Sequence, residues 1–157
     1  MAPPLSRAGR QRILGRDNRV ADIELKFAEE LATLLRAYGE VELQYVTAEM
    51  QPYSNAQRPD VVWTPKIGGY ANQLFFFEIK LSTKPIMLGR GFRNLLEHLE
   101  FAKESLDRAI AGYVFVTNAD IPEFSERFLS ENNVHSLANV NSPSDVIEFL
   151  RQIGVIA

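Results

Sequence analysis

Two short apolar runs, each bounded by charge, limit what this chain can fold into. The first reads Arg58-Pro59-Asp60-Val61-Val62-Trp63, and after a short loop the second reads Leu74-Phe75-Phe76-Phe77-Glu78-Ile79-Lys80. An acid opens one run, and Glu-x-Lys closes the next. Alternate residues of a strand share a face, so Glu78 and Lys80 point one way while Phe75, Phe77, Ile79 and Leu81 point into a core. If the two runs pair as a hairpin, Asp60 approaches Glu78 at one edge of the sheet. Two carboxylates beside an ammonium are costly to gather unless they hold a divalent cation that works on a phosphate. The bland alternative is a solvated strand edge carrying an ion pair.

Periodicity places these runs inside an α/β order of α-β-β-β-α-β-α-β-α. A first helix is expected from about Asp17 to Tyr38, stopping at Gly39. Val41 to Ala48 alternates and reads as a strand, followed by strands over Pro59 to Trp63 and Gln73 to Leu81. Thr64 to Tyr70 is the turn-rich loop between the last two. A long helix is expected over about Arg90 to Ile110. The nearly all-apolar run Gly112 to Thr117 reads as a strand buried on both faces. A helix near Pro122 to Ser130, a strand over Val134 to Leu137 and a helix from Pro143 to Ile153 complete the chain. Ser142 before Pro143 is a cap followed by proline at the first helical position.

The first helix carries a second signal. At about 100° per residue, Val20, Phe27, Leu31, Leu34, Leu35 and Tyr38 fall on one side, with Glu24 in the middle of the stripe. Asp22, Lys26, Glu29 and Glu30 fall on the solvated side. A carboxylate on an apolar face needs a partner, because burying it alone costs several kcal/mol or shifts its pKa. Glu24 therefore either belongs to a site or pairs within the core edge.

At 157 residues the chain has the length of one domain. It has no cysteine, so disulfides, thiolate metal sites and thiol nucleophiles are excluded. No apolar run approaches a membrane span, and Met1-Ala2-Pro3-Pro4-Leu5 has no hydrophobic signal core, so a cytoplasmic protein away from the membrane is expected. The net charge of −3 hides an uneven distribution. Residues 1–19 hold five arginines against Asp17 alone, leaving 12 bases and 19 acids for the rest. Residues 1–16 read as a basic, flexible arm able to bind phosphates through Arg12 and Arg16, and residues 17–157 as a single domain. Lys84, Arg90 and Arg93 lie just beyond Lys80, where they can meet phosphates or balance the acids. Lys103 falls at the margin of the long helix's apolar stripe, where it reaches the site or snorkels. His98 and His135 share no metal-like spacing. Trp63 and Tyr70 are open to two readings, base stacking or packing.

Pro59-Asp60 followed by Glu78-Ile79-Lys80 resembles the motif of the PD-(D/E)xK nuclease superfamily. By element order and motif the resemblance covers roughly residues 20–117. It implies a restriction-endonuclease-like fold, a central mixed sheet flanked by helices. It also implies a Mg²⁺ site, with Mn²⁺ able to substitute, held by Asp60, Glu78 and the Ile79 carbonyl. Lys80 would orient or activate the attacking water. An acid on the preceding helix often joins such a cluster, and Glu24 matches that role. The expected activity is hydrolysis of a DNA phosphodiester, with RNA remaining open. Cutting both strands of a duplex together takes two such sites, so a homodimer or a partner subunit is expected for that substrate, and a monomer for a nicking or partner-dependent enzyme. The alternative is a catalytically silent nucleic-acid-binding or protein-interaction module on the same fold.

Overall fold

The computed structural model describes residues 18–43, 60–86 and 110–157. In chain order these form α1 (Asn18–Leu35), β1 (Gly39–Leu43), β2 (Val61–Pro65), β3 (Leu74–Ile79), β4 (Ile110–Val116), α2 (Glu123–Glu131), β5 (Val134–Leu137) and α3 (Pro143–Gln152). The expected long helix over Arg90 to Ile110 lies outside the described residues, apart from Ile110 itself. That residue opens β4, so the strand takes Ile110 and Ala111 ahead of the expected run and ends at Val116, one residue short of Thr117.

The strands make one five-stranded mixed sheet in the order β1-β2-β3-β4-β5. β1, β2 and β3 pair antiparallel, and β4 and β5 continue parallel to β3. Parallel neighbours need a crossover, which α2 supplies between β4 and β5. β3 lies at the centre, and the apolar side chains of its Leu74–Phe77 run are buried on both faces. One face carries Phe75, Phe77, Ile79, Val114 and Val116 under α1 and α3. The other carries Phe76, Tyr113 and Phe115 with Leu129 of α2. The architecture is thus an α/β fold with a mixed sheet flanked by three helices among the described residues.

α1 buries Glu24, Phe27, Ala28, Leu31, Ala32 and Leu35, a stripe at helical spacing. Leu34, expected in that stripe, is 40% exposed. It sits about 80° off the stripe's centre, where the helix turns toward solvent. The α3 start keeps the expected cap position: Asp145 Oδ2 accepts the Asn141 and Ser142 N–H groups at 2.8 and 3.2 Å, and Pro143 follows. β1 is an edge strand, and its exposed Glu40 and Glu42 guard that edge with charge. No helix of the described residues is long and apolar enough to cross a membrane.

Gly39 is needed for a reason other than the expected one. α1 ends at Leu35 and turns through Arg36 to Tyr38, and Gly39 is already the first residue of β1, paired with Pro65. A Cβ there would lie 2.1 Å from the Thr64 carbonyl oxygen. Close approach of two strands, not a left-handed helix terminus, demands glycine. Gly39→Ala should therefore destabilise the protein by about 2 kcal/mol or more in urea unfolding. Gly69→Ala, where an added Cβ meets nothing within 4 Å, should change stability by no more than about 0.5 kcal/mol.

Candidate functional site

The antiparallel register of β2 and β3 pairs Val61 with Phe77, so one step further Asp60 stands opposite Glu78. The hairpin expected from the sequence is therefore present, with the acids at the end away from its loop. Asp60 is 4% exposed, and its Oδ2 accepts the Ile79 N–H at 2.7 Å. Glu24 of α1 is 5% exposed, and its Oε2 accepts the Leu81 N–H at 3.0 Å. Helix periodicity put Glu24 on the buried face, and the helix's packing under β3 aims it at this end of the sheet.

Four successive backbone donors at the end of β3 are held by alternating partners. Ile79 donates to Asp60, Lys80 to the Val116 carbonyl at 2.9 Å, Leu81 to Glu24, and Ser82 to Asn118 Oδ1 at 2.9 Å. An extended chain turns successive N–H groups to opposite edges, so two acids line one edge and the β4 end lines the other. The N–H and C=O of one residue point to the same edge, so the Ile79 carbonyl faces the acid edge between the two accepted donors. The donors of Ile79 and Leu81 lie about 7 Å apart at a rise of ~3.3 Å per residue.

Glu78 is half-buried, and Lys80 is exposed. The ladder bond from Lys80 to Val116 continues the extended course, which keeps Lys80 on the Glu78 side. Among the described residues Lys80 and Lys84 make no ion pair. Asp60, Glu78, Glu24 and the Ile79 carbonyl offer only oxygen, a donor set suited to Mg²⁺ or Mn²⁺. Among the described residues, however, no three acid, His or Cys side chains stand close enough to hold an ion as placed. Asp60 and Glu24 are each turned onto a backbone N–H, which leaves each carboxylate further lone-pair capacity.

Other expected residues separate from this end. Trp63 is fully buried and packs at 5.4 Å against Phe75, so it serves the core and stacks on nothing outside. Tyr70 packs edge-on against Phe75 at 5.7 Å in the β2–β3 loop, at the opposite end of the hairpin from Asp60. His135 is an exposed β5 residue against Phe149. Lys84 is exposed just beyond Ser82. Arg12, Arg16, Arg90, Arg93, His98 and Lys103 lie outside the described residues.

Sequence reasoning missed Tyr113. It shares the Glu78 face of the sheet, because β3 and β4 pair Phe76 with Tyr113 and Glu78 with Phe115. Burial, and then the charge of Glu78, push the Tyr113 phenol well above its usual value of 10.0. A hydroxyl inside the otherwise apolar Tyr113-Val114-Phe115-Val116 run was the available signal, but its neighbour is set by strand register.

Two outcomes follow. Glu24→Ala strands the Leu81 N–H and should cost about 1–3 kcal/mol in denaturant unfolding, while Glu24→Gln, which keeps an accepting oxygen, should recover most of it. For Tyr113, the raised folded-state value means that its neutral phenol contributes stability fully below pH 10, lost as pH rises through the raised value. Wild-type stability should therefore fall more steeply above pH 10 than that of Tyr113→Phe, and equal slopes would remove this linkage. Comparison of the chain with protein-family models, with curated proteins and with solved structures gives no match.

Proposed function

We propose that this chain is a Mg²⁺-dependent endodeoxyribonuclease on a restriction-endonuclease-like form of the α/β fold. The observation that carries the reading is the convergence of Glu24 and Asp60 on consecutive edge donors of the Glu78-Ile79-Lys80 strand end. Three elements distant in sequence each bring an acid to the carboxyl end of a central strand. The element order, an acid-bearing helix, an antiparallel meander and then parallel strands, also supports the resemblance to PD-(D/E)xK nucleases.

Asp60, Glu78, Glu24 and the Ile79 carbonyl would hold the ion. When bound, Mg²⁺ would neutralise phosphate charge and make a water more acidic. The protein's part is to hold these donors on rigid elements and to present Lys80 on the same face. There Lys80 hydrogen-bonds the attacking water or the charge developing on the phosphate. The attacking oxygen comes from water, the phosphorus–oxygen bond to the leaving sugar breaks, and one proton passes in net from water to the leaving oxygen. DNA is the proposed substrate, and RNA presents the same bond.

A second reading has its own observation. Asp60 and Glu24 are already seated on backbone donors, as they would be in a catalytically silent nucleic-acid-binding or protein-interaction module whose acids only shape the strand end. A cleavage assay separates the two. Supercoiled, linear and branched DNA are incubated with the protein and Mg²⁺ or Mn²⁺, with a chelator control. Cleavage should appear with either ion and vanish with chelator. Asp60→Asn and Glu78→Gln should abolish it, and Lys80→Ala should lower it by about a hundredfold or more. Chelator-resistant binding without cleavage would favour the silent module. Wild-type rates in all three variants would sink the assignment.

A further inference from the structure

We infer that Ser82, Lys84 and Asn118, with Lys80, form a subsite for a nucleic-acid backbone phosphate beside the acid cluster. The inference rests on the nuclease reading for the identity of its ligand, but its geometry stands independently. Residues 80–84 leave β3 alongside the end of β4, fixed by the bonds from Lys80 to Val116 and from Ser82 to Asn118. The facing loop is pinned on both sides. Thr117 donates to Leu137, Asn139 to Ala119, Val140 to Thr117 and Ile86 to Asp120, at 2.9 to 3.0 Å. Thr117 Oγ1 also accepts the Ala119 N–H at 3.1 Å.

Within this frame each side-chain oxygen already accepts one backbone N–H. The Asn118 oxygen accepts the Ser82 N–H, and a donor can only meet the oxygen of an amide, so the orientation of Asn118 is set by chemistry. The Ser82 hydroxyl oxygen accepts the Lys84 N–H at 3.1 Å. The donors beside these bonds are the Asn118 amide N–H groups, the Ser82 O–H, and the ammonium groups of Lys80 and Lys84. Asn118, Lys80 and Lys84 are exposed, and among the described residues neither lysine makes an ion pair. Two positive charges and two neutral donor groups on a stiff support match the oxygens of a phosphodiester, which accepts but does not donate. These donors attract a phosphate directly, whereas the neighbouring acids need an ion to face it. A phosphate seated here would hold the neighbouring phosphodiester against Asp60, Glu78 and Lys80. The contacts carry no base information, so they position rather than specify.

Asn118→Asp tests this with little disturbance, because the carboxylate still accepts the Ser82 N–H while the outward donors become a charged acceptor. The control is Asn72→Asp, which adds the same charge at the opposite end of the hairpin. There Asn72 has φ of 67°, a conformation aspartate tolerates. Affinity for a labelled DNA duplex is measured in chelator across a salt series, and thermal melting checks folding. Asn118→Asp should weaken binding by about tenfold, and Asn72→Asp by less than about twofold. Lys84→Gln should also weaken binding and lower the salt slope by about 0.9, the loss of one phosphate contact. Unchanged affinity and slope in Asn118→Asp and Lys84→Gln would overturn the subsite alone, as would an equal loss in Asn72→Asp. A wild-type protein that fails to bind DNA at any salt, both in chelator and with Ca²⁺ present, would overturn the nuclease reading and the subsite with it.

Discussion

The buried bond from the Ile79 N–H to the Asp60 carboxylate is the constraint on which the candidate site depends. The β2–β3 ladder ends here, and a side chain takes the place of a backbone acceptor. Removing a carboxylate from water is costly unless hydrogen bonds replace the lost solvation, and a bond to the charged form is among the stronger ones. Fixing Asp60 in this way sets it opposite Glu78 and holds the Glu-x-Lys segment extended. That extension is what turns the Leu81 donor toward Glu24 and the Ser82 donor toward Asn118. One strand end is thereby tied to α1, to the residue just before β2, and to the loop after β4.

Apolar packing makes this polar end possible. Phe75 and Phe77 are buried under α1 and α3, and Phe76 under the α2 side, so β3 cannot slip by one residue without exposing one set or burying Glu78. Register is therefore specified by the core, and the acids inherit their positions from it. The site lies at the carboxyl ends of parallel strands β3 and β4, a common location for ligands in open α/β sheets. Glu24 and Asp60 line one edge of this strand end, and the Val116 carbonyl and Asn118 line the other.

Much of this was legible in the sequence because charge punctuated the apolar runs. The Asp60 and Glu78 bracket gave the hairpin, and the stripe around Glu24 gave its burial, since a carboxylate at helical spacing among Phe27, Leu31 and Leu35 has to face inward. Val134–Leu137 was legible to the residue because a turn and a helix bound it closely. Other features were not. Gly39 reads as a helix terminator, but its need comes from Thr64, a contact across strands that no local pattern encodes. Trp63 could be read as a stacking residue until both faces of β2 were known to be covered. Tyr113 and Asn118 acquire meaning only from the β3–β4 register, set across a long sequence separation. That no three acids among the described residues stand close enough to hold an ion as placed is likewise beyond any sequence pattern.

The central claim is that the acids at the end of β3 form a site for a hard divalent cation. Thermal unfolding of wild-type protein and of Glu78→Gln, each with and without Mn²⁺ or Mg²⁺, tests it most directly. An ion that binds the folded state alone raises the melting temperature with its concentration. The account predicts such a rise for the wild type and its loss in Glu78→Gln, reversed by chelator. A wild-type melting temperature indifferent to either ion, or an equal rise in the variant, would contradict it.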